Sequence, residues 1–454
     1  MKKLLLTGFV LAAMVSQAQS WVPQGTKFPL NSGVDEIDIV DANVVWTFAY
    51  GPTATSYPKI VGRTINGGST WTATTVTNIG SNALISDITA VDANTAWVLT
   101  AGTGQPGTNP NRIWKTTNGG TSWTQQAVAY NTPSFANQIH FWDSNEGWTA
   151  GDPLQDGFFE MYKTTNGGAT WTLVPGRPAA EGDYSYVALK EVVGDNVWIG
   201  TDLGRILKSS DRGNTWTSGY SPALDFGGVT TAGSSGSFAF QDGNNGLLIT
   251  VDGAGSPATT TASLYKSTDG GMTWGDPISP TGPWYFGDIT HVPGTVSTYV
   301  STGINWGTEA DPKPEWLGSS YSTDGGLTWT AIDEGEQRGK VVFLNPTTGW
   351  AGQFSDGPTG IEGIMKFVGN LSLGTSDNAV KSSLKVYPNP AVDVVNISSD
   401  RKIENVTVMD MSGKRLQSFK AGNQINVSSL AKGTYILQVY YGGGAVENTK
   451  LIKK

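Results

Sequence analysis

The chain has 454 residues, among them 59 glycines, 17 tryptophans, two histidines and no cysteine, and 15% of it is charged, against a usual share of about 25%. Disulfides, thiol nucleophiles and cysteine-held zinc are therefore excluded, and His140 and His291 are too few for a histidine-rich metal centre. Glycine at nearly twice its usual share of about 7%, with no sustained helical periodicity, predicts an all-β chain of short strands and tight turns.

At the N-terminus, Lys2 and Lys3 precede an apolar run from Leu4 to Val15 and the small-x-small pattern Ser16-Gln17-Ala18. This order predicts an export signal over residues 1–18, cleaved after Ala18. No later stretch approaches the roughly 20 apolar residues of a membrane helix. Residues 19–374 hold 16 basic and 32 acidic side chains, net −16, whereas residues 375–454 hold 11 and 6, net +5. An acidic body argues against nucleic acid as a partner. The shift in charge marks a boundary, with residues 371–383 as the expected linker.

Within residues 19–370 one octet recurs, from Thr64 to Trp71, with copies ending at Trp123, Trp171, Trp216, Trp274 and Trp329, spaced by 52, 48, 45, 58 and 55 residues. Its third position is Asn66, Asn118, Asn166, Asp211, Asp269 or Asp324. These octets resemble the Asp-box of bacterial neuraminidases. An aromatic strand lies upstream of each, with anchors at 46, 97, 148, 198, 247, 299 and 350, separated by 51, 51, 50, 49, 52 and 51 residues. Regular units with room for four strands predict a seven-bladed β-propeller. The last unit lacks its octet, and Ser20 to Gln24 is expected to supply its missing strand and hide both sheet edges.

Asp, Asn and Gly in the octets are expected to cap and turn the chain, and their tryptophans to pack, as are Trp46, Trp97, Trp148, Trp198 and Trp350. Function is then expected on the opposite face, where loops such as Gly102–Asn111, Val251–Ser263 and Gly303–Leu317 vary in length. Aligning the first strands on their anchors brings Glu36, Asp87, Gln138, Ala188, Ser237, Asp288 and Lys340 to equivalent positions near the mouth of a central channel. Two readings stand, a solvated lining or an acidic ligand ring. Asp152 joins the candidates from a long loop. A second patch combines Trp284, Tyr285, Trp306 and Trp316 with Glu309, Asp311 and Glu315, aromatic faces beside carboxylates that suit sugars or simply anchor the loop. No cofactor or metal is encoded: Asp242-Gly243-Asn244-Asn245-Gly246 lacks the spacing of a calcium loop.

Residues 384–454 contain Leu384-Lys385-Val386-Tyr387-Pro388-Asn389-Pro390, Val406 to Lys414 and Leu430 to Val439. These motifs resemble the C-terminal sorting domain of the type IX secretion system of Gram-negative bacteria. The resemblance implies contact with that machinery and delivery to the exterior or the outer-membrane surface after export to the periplasm. Alternating apolar residues in this tail predict a small immunoglobulin-like β-sandwich.

Gly151-Asp152-Pro153, Pro178 to Gly182 and Arg205 to Gly213 resemble exported propellers related to the photosystem II assembly and stability factor, which implies a protein-binding or unassigned propeller rather than a catalyst. Sialidases share the octet, but their Phe/Tyr-Arg-Ile-Pro motif is missing. Of six arginines in the body, Arg63 and Arg212 precede or belong to octets. Xyloglucan-type hydrolases close their cleft between two propellers, and one is expected here. A carboxylate pair drawn from Asp87, Asp152, Asp288 and Asp311 could still flank a glycosidic bond. The expectation is a monomeric protein that binds a protein or glycan on its loop face, with a glycoside hydrolase as the alternative.

Overall fold

The computed structural model describes residues 19–53, 56–102, 111–127, 129–130, 134–227, 234–253, 260–305, 313–373, 384–399, 402–410, 415–420, 422, 424–441 and 446–454. The expected export signal over residues 1–18 lies outside them. The chain divides into two compact units, residues 1–374 and 375–454. Both are all-β, with only two short 3-10 turns, Pro314–Trp316 and Leu371–Leu373, among the described residues.

Among the described residues, the first unit is built of seven antiparallel sheets resembling propeller blades, six of four strands and one of three. The first sheet shows the pattern: Gly33–Ile39, Val45–Tyr50, Ile60–Thr64 and Thr72–Thr75 pair in chain order. Its second strand is buried on both faces from Val45 to Ala49, as a strand between packed sheets must be. The first strands of successive sheets lie side by side, and Val341–Asn345 of the seventh returns to Gly33–Ile39 of the first. Ser20–Gly25 pairs with Gly363–Val368, in register from Ser20 opposite Val368 to Gly25 opposite Gly363, so this early strand completes the last sheet. Trp21 fixes it there through edge contacts with Phe343 and Phe367 and an indole N–H to Ser319 Oγ at 2.7 Å. Leu371, placed in the linker by its composition, is buried in the core of this sheet.

Each octet turns the chain after a third strand by one hydrogen-bond scheme, leading into a fourth strand in five of the six sheets that carry an octet among the described residues. Thr64 Oγ1 donates to Asn66 Oδ1 at 3.0 Å, which also accepts Thr70 N at 2.9 Å, while Gly68 N donates to Thr64 Oγ1 at 2.9 Å. Asn118 and Asn166 repeat it. In Asp211, Asp269 and Asp324 the second carboxylate oxygen adds a bond from the threonine hydroxyl, at 2.6, 2.5 and 2.7 Å. Gly213 shows why glycine follows: its φ is +79°, and a Cβ there would lie 2.6 Å from Trp148 Cδ1. Trp71, Trp123 and Trp329 are buried; Trp171, Trp216 and Trp274 pack half-buried against the same cores. The strand tryptophans Trp46, Trp97, Trp148, Trp198 and Trp350 have no exposed surface. Three of them bond the next sheet through the indole N–H, to Asp92 O, Gly167 O and Gly270 O.

Among its described residues, the second unit holds a three-stranded sheet, with Val394–Ser398 central, and a four-stranded sheet of Arg415–Lys420, Ile403–Met409, Gly433–Tyr441 and Val446–Lys453. Val395, Ile397, Val406, Val408, Ile425, Leu437, Val439 and Leu451 form its core, the inward half of each alternating strand.

Candidate functional site

An innermost strand leaves one backbone edge without a strand partner, and its N–H groups need acceptors. The acidic positions supply them across sheet boundaries. Asp38 accepts Ala90 N at 2.6 Å, Asp87 accepts Ile139 N at 2.7 Å, Glu191 accepts Phe240 N at 2.7 Å and Asp288 accepts Val341 N at 2.9 Å. Gln138 Nε2 donates to Tyr186 O, and Ser237 Oγ to Asp288 Oδ1. Lys340 Nζ stands 3.4 Å from Glu36 Oε2. Six of the seven aligned positions thus do meet around the centre, but as links between neighbouring strands; Asp87 and Gln138 have no exposed surface at all.

The seventh position is corrected. Ala188 does not reach the centre, because the fourth sheet carries an irregularity between Ser185 and Lys190, with Ala188 at φ +50°. Lys190 arrives in its place and bonds both oxygens of Asp87, at 2.7 and 2.8 Å. Such an insertion leaves no local mark in sequence.

The centre is a cavity of about 660 Å³, walled by Glu36, Asp38, Lys190, Glu191, Asp288 and Lys340 together with His140 and His291. Burial dominates its electrostatics. It pushes Asp38 up to about 6, Asp87 to about 7 and Glu191 to about 8, against the opposing pull of the accepted N–H bonds and nearby lysines. The same desolvation lowers His140 to about 3 and His291 to about 4, so both imidazoles are neutral. Lys190 and Lys340 are raised despite burial, by Asp87 and Glu36 respectively.

The remaining candidates scatter. Asp152 lies apart from the centre, accepting Asn137 Nδ2 at 2.7 Å, and burial raises it to about 6. Trp306, Glu309 and Asp311 lie outside the described residues. Trp316 is half-buried against Phe286 at 5.8 Å, which also contacts Trp284, and Tyr285 is buried; these rings anchor their own loop. The arginines are dispersed: Arg177 pairs with Asp156, Arg205 with Asp183 at 3.2 Å, Arg212 with Asp195 at 2.7 Å and Arg338 with Asp333. Arg205, 2% exposed at its side chain, also donates to Ala179 O, tying down the Pro178–Gly182 loop.

A site that the sequence did not reveal opens beside the ring. Asp35 sits on a bulge between Val34 and Glu36, where an extra residue turns a carboxylate away from the strand pairing. It forms part of the wall of two cavities, of about 450 and 320 Å³, which share Asp35, Tyr50 and Phe354. Apart from Thr53 and Ser56, the larger is bounded mainly by apolar groups, Phe48, Tyr57, Pro58, Leu84, Ile85 and Val187. Tyr50, Tyr57, Val187 and Phe354 are 37–40% exposed, and Tyr50 meets Phe354 edge-on at 5.9 Å. Gly33 makes this possible, since a Cβ there would lie 2.1 Å from Tyr50 Cζ. Burial and then Glu36 push Asp35 up to about 6.

Among helices of the described residues, none is long and apolar enough to cross a membrane. No curated protein matches the chain by sequence. Two solved structures share the fold of the body: YCF48 bound to D1 peptide, at 16% identity and a TM-score of 0.52 over 80% of this chain and all of that one, and YCF48 from Cyanidioschyzon merolae, at 15% and 0.50 over 78% and 99%. A GH74 enzyme of Niastella koreensis aligns at 12% identity and a TM-score of 0.43, over 96% of this chain and 68% of that one. Residues 385–454 match the model of the secretion system C-terminal sorting domain, so the chain carries a sorting tail, directed to secretion or the outer-membrane surface, behind a body of propeller-like sheets.

Proposed function

We propose that the body is a seven-bladed propeller of Asp-box type over residues 19–370, closed by its own first strand, and that it binds an extended segment of a partner protein in the groove beside Asp35. The tail, residues 384–454, is on this reading an immunoglobulin-like sandwich that engages the type IX machinery, and residues 1–18 direct the first export step.

The observation that carries the reading is the groove itself. Four exposed apolar side chains, Tyr50, Tyr57, Val187 and Phe354, surround one half-buried carboxylate. A cluster of exposed rings rimmed by polar groups is the usual mark of an interaction surface. Asp35 selects the occupant: a lysine or arginine side chain flanked by apolar residues would neutralise it and cover the rings. The likeness to a peptide-bound YCF48 supports the same class of ligand.

The hydrolase alternative has weaker support. Asp87 and Asp288, half of the carboxylates available to it, already accept strand N–H groups, and Asp87 is fully buried.

Peptide and glycan arrays probed with the full chain test the proposal. Peptides with a basic residue between apolar neighbours are expected to bind, with at least tenfold loss in Phe354→Ser and Asp35→Asn. Binding only to glycans, or unchanged peptide binding in both variants, overturns it; released reducing sugar would make the chain a hydrolase.

A further inference from the structure

The fourth sheet, Ser185–Val193, Asn196–Thr201, Arg205–Ser209 and Thr217–Tyr220, ends low on the loop face. Its second and third strands are joined by three residues, Asp202, Leu203 and Gly204, against five to fifteen in the other six sheets. Gly204, at φ +69°, closes that turn against the chain beyond the fourth strand: a Cβ there would lie 1.8 Å from Ala223 O and 3.3 Å from Leu224 Cα. The turn is too short to overhang its neighbours, and Tyr184, Leu203 and Leu224 are 45%, 43% and 62% exposed beside it. Apolar groups gathered in this way at one sheet end mark an interaction surface.

Two carboxylates are set among them. Tyr184 N donates to Asp202 Oδ1 at 2.7 Å, and Asp202 N to Tyr184 O at 3.1 Å. Tyr186 meets Tyr184 edge-on with ring centres 5.6 Å apart, and its hydroxyl donates to Asp225. Arg205 of the same sheet is turned to Asp183, at 3.2 Å, and Glu181, at 3.7 Å. Among the described residues, no basic side chain stands within ion-pair distance of Asp202 or Asp225. Burial first, and then the negative charges of Asp183 and Asp225, raise the Asp202 carboxyl above its ordinary value.

This surface continues the Asp35 groove. Val187, which walls the groove, is three residues beyond Tyr184 on the same stretch of chain, roughly 10 Å at about 3.3 Å per residue. A cavity of about 450 Å³ is roughly 10 Å across, so Asp35 and Asp202 lie within roughly 20 Å, the reach of about six extended residues. Two acids beside an exposed tyrosine ring select arginine over lysine. A planar guanidinium donates to both carboxylates and lies over the ring, whereas an ammonium is a point charge.

We infer, resting on the assignment of the Asp35 groove to an extended segment, that this segment runs on over the fourth sheet and places a second basic side chain, an arginine, at Asp202 and Asp225 against Tyr184. The partner is then a strand with two basic residues about six positions apart, each between apolar neighbours.

Fluorescence polarisation of the full chain near physiological salt tests the inference with labelled synthetic peptides. One peptide has a single arginine between leucines, and another adds a second such arginine six positions on. A third has its two arginines side by side. The spaced pair is expected to bind about tenfold more tightly than the single arginine, a gain that the adjacent pair does not reproduce. Asp202→Asn combined with Asp225→Asn should abolish the gain and leave the single-arginine peptide unchanged, whereas Asp35→Asn should weaken all three. Tyr184→Ser, which alters only an exposed ring, should reduce the gain severalfold and decides the matter if the double variant fails to fold. Equal affinity for the single arginine and the spaced pair, an equal gain from the adjacent pair, or a gain that survives both the double variant and Tyr184→Ser overturns the inference and leaves the groove standing. Failure of every peptide to bind overturns the groove and this extension together.

Discussion

Asp87 and Lys190 are 103 residues apart and meet at 2.7 Å in the centre of the body, where the Asp87 side chain has no exposed surface. The same carboxylate accepts Ile139 N, so one side chain joins the second, third and fourth sheets. Removing one partner of a buried pair strands the other charge, at a cost of about 3–5 kcal/mol. Lys190→Met is therefore expected to lose that much in denaturant unfolding. The double variant Asp87→Asn with Lys190→Met should lose clearly less than the two single losses summed; strict additivity would show that the two groups do not act as a pair.

The repeat was legible because its signals are local. An octet such as Ser209 to Trp216 contains its own cap, turn glycine and packing indole within eight residues, so the six octets exposed the repeat and the strand anchors added a seventh unit. The ring was half legible: alignment found Asp87 and Asp288 but took Ala188 for Lys190, because register depends on an irregularity that only tertiary packing creates. The groove was not legible, since Asp35, Leu84, Val187 and Phe354 come from four different sheets or their loops and no sequence interval links them.

The centre also sets the pH dependence of stability. Glu191, at about 8 in the folded chain against an ordinary 4.5, binds its proton more tightly when folded. Its contribution is fully present below about pH 4.5 and is lost as pH rises through about 8. Asp87, raised to about 7, acts in the same direction. His140 and His291, lowered to about 3 and about 4 from 6.5, act oppositely: their contribution is present above pH 6.5 and lost as pH falls. Asp35, Asp38 and Asp152, each raised to about 6, act like Glu191 and outweigh the two imidazoles, so calorimetric melting between pH 5 and 8.5 should show stability falling as pH rises. Glu191→Gln should flatten the alkaline arm; an arm as steep as in the wild-type chain would contradict this account.

Capping by the octets predicts a loss of stability without loss of binding. Asp211 accepts the Ser209 hydroxyl and the N–H groups of Asn214 and Thr215, with Thr215 Oγ1 on its other oxygen. Asp211→Ala should cost about 1–2 kcal/mol, the range for a lost cap with several bonds. Because the octet lies at the turn between third and fourth strands, peptide binding should be unchanged. A loss of it would give the octets a role beyond the frame.

Closure through the first strand can be tested by moving the chain ends. Gln19 Nε2 lies 3.4 Å from Asn370 O, and Ser20 is paired with Val368, so the two ends of the body are adjacent. A chain of residues 19–373 whose ends are joined by a short Gly-Ser linker, opened instead at the exposed Gly194–Asp195 turn, should keep the fold, because no strand pairing is broken there. A chain that simply begins at Thr26 should do worse: it removes Trp21 and bares the edge of Gly363–Val368, a buried aromatic worth about 3–5 kcal/mol together with an unpaired strand edge open to aggregation. Circular dichroism and light scattering separate the outcomes. If the truncated chain stays monomeric and melts like the intact one, the first strand is an ornament on the last sheet, and the ring is held by the links among Asp38, Asp87, Glu191 and Asp288 alone.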